Sequence, residues 1–304
     1  MGMQDQLTRL SDYVAAIEPL LPRMVVDNYP FAILGESDGD ACLFNGLLST
    51  VHPKGKLNYP LIGVIGSQGM DGMFYRSPRR RETNNQGYDS LFSRDQAMGV
   101  LCASTQMGFN GALFSKWCDY IDGSRPCLKK KPKILGGGCW IRSPIYYYAM
   151  GDDRTQVTPI MWALMGRVCE FRGWTKRGEM GKWKGADGDA CVLQAESVDP
   201  GYKLHLEGVG AYLKFLIGQS REYSLKIGKI CYERVPDNLF YEFLAKREVT
   251  EDMIKRYFDM APPIDHRWGN AWVWEKSTAH KELSTSCGWD FVFLGRLFLR
   301  FAIP

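Results

Sequence analysis

The chain has 304 residues, 45% of them apolar and 24% charged, which excludes disorder as the main state and leaves enough chain to bury about three quarters of its extended surface. Its 38 Lys and Arg against 34 Asp and Glu leave a net charge of +4, too little to expect wrapping by nucleic acid. Aromatic residues reach 13%, with nine Trp and fifteen Tyr, a bias that suits flat ligands such as sugars.

In chain order, the opening MGMQDQLTRLSDY lacks both a signal-peptide pattern and a myristoylation motif, so the expectation is synthesis in a cytoplasm without an export signal. Leu7, Leu10, Val14 and Ile17 step at helical spacing until Pro19 and Pro22 end the run. Ser93 with Gln96 three residues later reads as a capping-box start to a helix reaching about Met107. Thr158 before Pro159 starts another, with Met161, Leu164, Met165, Val168 and Phe171 as its stripe. Further helical patterns cover 204–217, 238–246, 250–259, 270–280 and 289–301. The best alternating pattern, YSLKIGKICY at 223–232, predicts a minor strand or hairpin. The apolar run from Trp289 to Pro304 is too short for a membrane span and carries Arg296 and Arg300 one turn apart, so no membrane span is expected. Nine cysteines, with no CxxC pair and no His at ligand spacing, read as buried free thiols in a reducing compartment, with no metal site.

Between the helical stretches lie Gly-rich, polar and aromatic segments at 63–72, 77–90, 136–138 and 173–188, longer than connectors need to be and therefore read as functional rims. The pentapeptide DGDAC occurs twice, at Asp38 and again at Asp187, close to half the chain apart, and RSP recurs at Arg76 and Arg142. Both repeats place acidic residues just ahead of helices.

That rhythm, with ESDGDACLF, FSRDQAMGVL and HRWGNAWVWE as entrances to inner helices, resembles the (α/α)6 toroid of glycoside hydrolases and polysaccharide lyases. The resemblance implies a mainly α fold over residues 1–304, one toroid-like catalytic domain with long functional loops, acting on a polysaccharide or oligosaccharide without a cofactor. The missing export signal is also similar to sugar-degrading proteins of tailed phages, which implies the alternative of a non-catalytic virion or adaptor protein partnered with phage particle proteins.

Glycoside cleavage requires two carboxyl groups, one protonated as acid and one acting as nucleophile or base. Asp38, Asp40, Asp95, Asp152, Asp153, Asp187 and Asp189 all stand at predicted helix starts, and the expected catalytic pair is Asp40 with Asp95. The competing reading is that an Asp in a first turn only complements the helix dipole. Substrate contacts are expected from Asp38, Arg76, Arg94, Trp140, His266, Trp268 and Trp272. Trp268 and Trp272 would share one helix face as sugar platforms, or else belong to the core. The run Arg76, Arg79, Arg80 and Arg81 would fork onto anionic groups of an acidic polysaccharide, or form a solvated face. In a lyase, a Tyr or His266 would be the base and Arg94 would neutralise a uronate. HExxH and a phosphate loop are missing, which argues against zinc-protease and nucleotide-hydrolase chemistry.

Overall fold

Helices that are buried all round alternate along this chain with helices that bury a single stripe. In the computed structural model, residues 2–85, 91–131, 138–149, 156–277 and 283–302 are described. The one-stripe helix α1 (Met3–Ile17) buries Leu7, Leu10, Val14 and Ile17, whereas α2 (Ala41–Thr50) buries every one of its residues. The pattern continues through α3 (Tyr59–Gly66), the single turn α4 (Pro78–Glu82), and α5 (Arg94–Ser104), which is buried from Gln96 onward. Helix α6 (Gly111–Gly123) is one-sided, and α7 (Pro159–Arg172) is buried from Met161 to Cys169 apart from Arg167. Then α8 (Asp189–Ser197), α10 (Arg221–Arg234) and α12 (Glu251–Met260) bury stripes. Helices α9 (Tyr202–Leu216), α11 (Leu239–Lys246) and α13 (Trp289–Phe301) are buried almost throughout. A helix that is apolar on every face can only sit inside others. One contiguous core accordingly runs from Leu7 to Phe298. Among the described residues no helix is long and apolar enough to cross a membrane.

Side-chain caps open six of the thirteen described α-helices. Thr158 accepts the Met161 amide at 3.4 Å, Asn238 accepts those of Phe240 and Tyr241, and Thr250 accepts that of Met253, as short polar side chains do at N-caps. Ser93 is the exception to expectation. It occupies the N-cap of α5, but its hydroxyl donates to the Asp95 carboxylate rather than accepting a backbone amide.

Two antiparallel hairpins complete the fold. Strands β1 (Arg23–Val26) and β2 (Tyr29–Ala32) turn through Asp27 and Asn28, whose φ angles are 54° and 65°, the left-handed pair that a tight two-residue hairpin turn requires. Buried Asn45 ties this hairpin to α2, accepting the Ala32 amide and donating to the Ala32 and Ala41 carbonyls, each at 2.9 Å. The second hairpin, β3 (Cys127–Lys130) with β4 (Cys139–Arg142), is closed by a Cys127–Cys139 disulfide. The expectation of nine free thiols is thereby corrected to seven buried ones and one exposed bridge.

Two further expectations fail. The segment 223–232 is not a strand but lies within α10, because its buried residues Ser224, Ile227, Gly228 and Cys231 follow helical spacing. Gly228 is placed so that a Cβ would stand 2.5 Å from the Leu244 carbonyl oxygen. The expected helix at 270–280 is a short 3-10 turn, Val273–Glu275, with 278–280 outside the described residues. Asp290 decides this locally. Its carboxylate accepts the Val273 amide at 3.0 Å and its carbonyl accepts the Trp274 indole N–H at 2.7 Å, pinning the segment to the start of α13. The Gly-rich stretch 63–72 also begins inside α3 rather than as a loop.

The tightest packing in the fold is α2 on α5. A Cβ on Gly46 would lie 2.1 Å from the Gly99 carbonyl oxygen, and one on Gly99 would lie 2.1 Å from that of Cys42. Gly210 in α9 would meet only Met98 Cε at 3.6 Å. Gly99→Ala should therefore cost about 2 kcal/mol or more through overpacking, while Gly210→Ala should be neutral or stabilising by about 0.5 kcal/mol or more. Urea denaturation of the two variants checks this, and equal midpoints would refute the close approach.

Candidate active site

Because α2 and α5 touch backbone to backbone at Gly46 and Gly99, each the sixth residue of its helix, the residues that open the two helices lie level with one another. Gln96 donates to Asp40 Oδ1 at 2.9 Å, so both helices begin on the same side of the molecule. The first turn of α9 arrives beside them. Asp40, Asp95, Tyr202, His205, Glu275 and Lys276 are among the residues lining a cavity of about 400 Å³. Asp40 and Asp95, paired from the sequence alone, do share this cavity.

Three carboxyl groups here sit in different environments. Asp40 leaves 47% of its side chain open to the cavity, yet the surrounding protein and the nearby Asp95 charge push its carboxyl above the usual range, against the pull of Arg76 and Gln96. Glu275 is pushed up to about 7, chiefly by burial, with Asp40 and Asp95 adding to the shift and Lys276, whose Nζ lies 3.4 Å away, opposing it. Asp40 and Asp95 stand at the positive ends of α2 and α5, whereas Glu275 closes a 3-10 turn and has no such field to stabilise its charge. The arrangement can thus hold a proton on one carboxyl beside others.

His205, on α9, is 1% exposed. Neither ring nitrogen makes a hydrogen bond of normal geometry; the Trp274 carbonyl beside it already accepts Asn238 Nδ2 at 2.7 Å. Burial pushes the His205 imidazole down to about 3, so the ring is neutral. Sequence reasoning overlooked both Glu275 and His205. Glu275 ends a quoted motif but was placed on a helix that does not form, and His205 falls on a stripe indistinguishable from core.

The arginines are committed to protein partners, although Arg79 leaves 49% of its side chain exposed. Asp38 is fully buried and accepts Ser77 Oγ at 2.5 Å, Arg79 at 2.5 and 3.0 Å, and Arg80 at 3.3 Å. Arg76 donates to the Leu91 and Gly39 carbonyls at 2.8 and 3.1 Å and reaches Asp40 at 3.4 Å. Arg81 pairs with Asp27 at 3.0 Å, and Arg94 with Glu207, itself buried, at 2.7 Å. Asp187 repeats the Asp38 arrangement with Arg167, at 3.1 Å, and Ser220, at 3.2 Å. The second DGDAC leaves Asp189 exposed, however, and Asp152 and Asp153 lie outside the described residues.

The expected aromatic platforms are dispersed. Trp272 is wholly buried and stacked on Phe44 with ring centres 4.3 Å apart, so its core reading holds. Trp268 packs edge-on against His266 at 5.2 Å in the segment after α12, off any helix shared with Trp272. Trp140 is 49% exposed on β4 with Lys129 above its ring. None of these four side chains lines the carboxylate cavity, whose exposed aromatic is Tyr202. Among the described residues no three His, Cys, Asp or Glu side chains converge closely enough to hold a metal ion.

Compared with known proteins, the chain matches no family model, no curated protein and no solved structure.

The buried Asp38 cluster makes a stability prediction. Hydrogen bonds and charge from Arg79, Ser77 and Arg80 outweigh burial and hold the Asp38 carboxyl down at about 2. A depressed carboxyl contributes stability above its unfolded value, and that contribution is lost as pH falls through about 2. Asp38→Asn should cost about 2 to 3 kcal/mol at neutral pH and flatten the acid limb of a melting-temperature profile between roughly pH 4 and 2.

Proposed function

We propose that this protein is a carbohydrate-active enzyme that hydrolyses a glycosidic bond, with a bacterial surface polysaccharide as substrate. The observation that carries the reading is the cavity in which Asp40, Asp95 and Glu275 meet, one of them with its proton affinity raised to near neutrality. Glu275 is the general acid, giving its proton to the leaving glycosidic oxygen. Asp95, with Asp40 beside it, supplies the carboxylate that acts as nucleophile or base on the other side of the sugar. Tyr202, 62% exposed, offers a flat face at the rim.

The alternation of six enclosed helices with amphipathic ones supports a toroid in which α2, α5, α7, α9, α11 and α13 form the inner ring. In that architecture the inner-helix starts share one mouth, where the carboxyls of α2 and α5 and the first turn of α9 would stand. Hydrolysis is favoured over elimination because Arg94, the residue a lyase would need to neutralise a uronate, is paired with buried Glu207.

Reducing-end release from a panel of capsular polysaccharides and lipopolysaccharides tests the activity; no release from any member, together with no unsaturated-uronate absorbance, would refute it. The acid must be protonated to act, so turnover should fall as pH rises through about 7. Glu275→Gln should lower turnover by roughly a hundredfold or more and abolish that alkaline limb. Asp95→Asn and Asp40→Asn should reduce turnover by a similar factor while changing stability by under about 1 kcal/mol. An Asn variant with full turnover would remove that residue from the site.

A further inference from the structure

We propose that the hairpin of β3 and β4 docks the protein on an anionic lipid surface, a role separate from the chemistry of the cavity. All four residues of β3 are exposed, and in β4 only Cys139 is half-buried, so neither face of the ribbon packs on the core. A two-stranded ribbon with no packed face is marginal in water by itself. Here the Cys127–Cys139 bridge closes it, and its root is tied to the end of α6. The Ser143 amide donates to the Pro126 carbonyl at 2.7 Å, Arg142 donates to the Gly123 carbonyl at 2.9 Å, and Ser124 Oγ reaches the Tyr147 carbonyl at 2.8 Å.

The ribbon displays two kinds of side chain together. Leu128 is 65% exposed, Ile141 51% and Trp140 49%, with Ile145 just beyond β4 at 41%. Single exposed apolar residues are ordinary, but four within one short hairpin form a surface that water does not favour. Lys129, Lys130 and Lys131 stand exposed among them, the Lys129 ammonium 5.2 Å from the centre of the Trp140 ring. The nearest carboxylate in sequence, Asp122, is paired with Arg125 at 3.1 Å. Residues 132–137 and 150–155 lie outside the described ones. With them counted, residues 122–155 hold seven Lys and Arg against three Asp and no Glu, so the surroundings are cationic by sequence as well as by structure.

The combination selects the partner. A polysaccharide or nucleic acid would engage the lysines and the indole but has no place for Leu128, Ile141 and Ile145, and a folded protein would cover one face of a ribbon that is bare on both. The headgroup boundary of an anionic bilayer receives all of them. Aliphatic side chains enter the acyl region, the indole rests at the interface, and lysines lay their stems along the apolar layer while their ammonium groups meet lipid phosphates.

The experiment measures co-sedimentation of the intact protein with vesicles of phosphatidylcholine, alone or with roughly one third phosphatidylglycerol. Binding should be about tenfold or more tighter to the anionic vesicles and should weaken in high salt. A variant carrying Lys129→Gln, Lys130→Gln and Lys131→Gln, and another carrying Trp140→Ser and Ile141→Ser, should each lose about tenfold or more of that affinity. Both should keep the melting temperature of the wild type, since the altered side chains are exposed. Brominated acyl chains should quench tryptophan fluorescence in the wild type and much less in Trp140→Phe. No binding to anionic vesicles would overturn the proposal, as would tighter binding to polygalacturonate or duplex DNA than to the vesicles. Vesicle binding that the lysine variant abolishes but the Trp140 and Ile141 variant leaves intact would also overturn it, because charge attraction alone would then suffice.

Discussion

Everything at the candidate site depends on how closely α2 can lie on α5. Gly46 and Gly99 remove the side chains that would keep the two backbones apart, and the helices meet within a turn or two of their first residues. Because each glycine is the sixth residue of its helix, the contact brings the two N-termini, and the acidic residues opening them, to one side. Larger residues at the crossing would separate Asp40 from Asp95 even if both helices formed.

Charge is distributed with the same economy. The acidic residues that open helices divide into two kinds, those buried under arginine forks and those left facing open space. Asp38 and Asp187 are of the first kind and hold loops against helix starts, at α2 and α8. Asp40 and Asp95 are of the second and face a cavity. Because a buried carboxylate must be matched by donors, Asp38 and Asp187 take up Arg79, Arg80 and Arg167, while Arg76 reaches Asp40 at the cavity.

The burial of Glu275 and His205 has a common origin in the segment before α13. Asp290 captures the Val273 amide and the Trp274 indole packs onto α13, forcing a short 3-10 turn where the sequence pattern favoured a longer helix. That turn ends at Glu275, at the cavity wall, and presents the Trp274 carbonyl next to His205. A residue pair from distant parts of the chain thus joins the cavity through contacts of a buried aspartate.

By itself the sequence determined the helices whose information is local. The 3.6-residue stripe of α1, the start at Thr158, and the helical runs that became α11, α12 and α13 were legible because a helix start and an apolar face are written in neighbouring residues. The closeness of Asp40 and Asp95 was also anticipated, from acidic residues at helix starts and a resemblance in rhythm. Tertiary structure alone decided the rest. YSLKIGKICY alternates as a strand would, yet packs as a helix because Gly228 admits the Leu244 backbone. Cys127 and Cys139 pair only because a hairpin folds them together. Identical DGDAC pentapeptides place one second aspartate in a cavity and the other in solvent, since what surrounds a helix start is supplied by other segments. The same holds for proton affinity: the rise at Glu275 comes from burial and from charges contributed by α2 and α5, none of which its own neighbours in sequence encode.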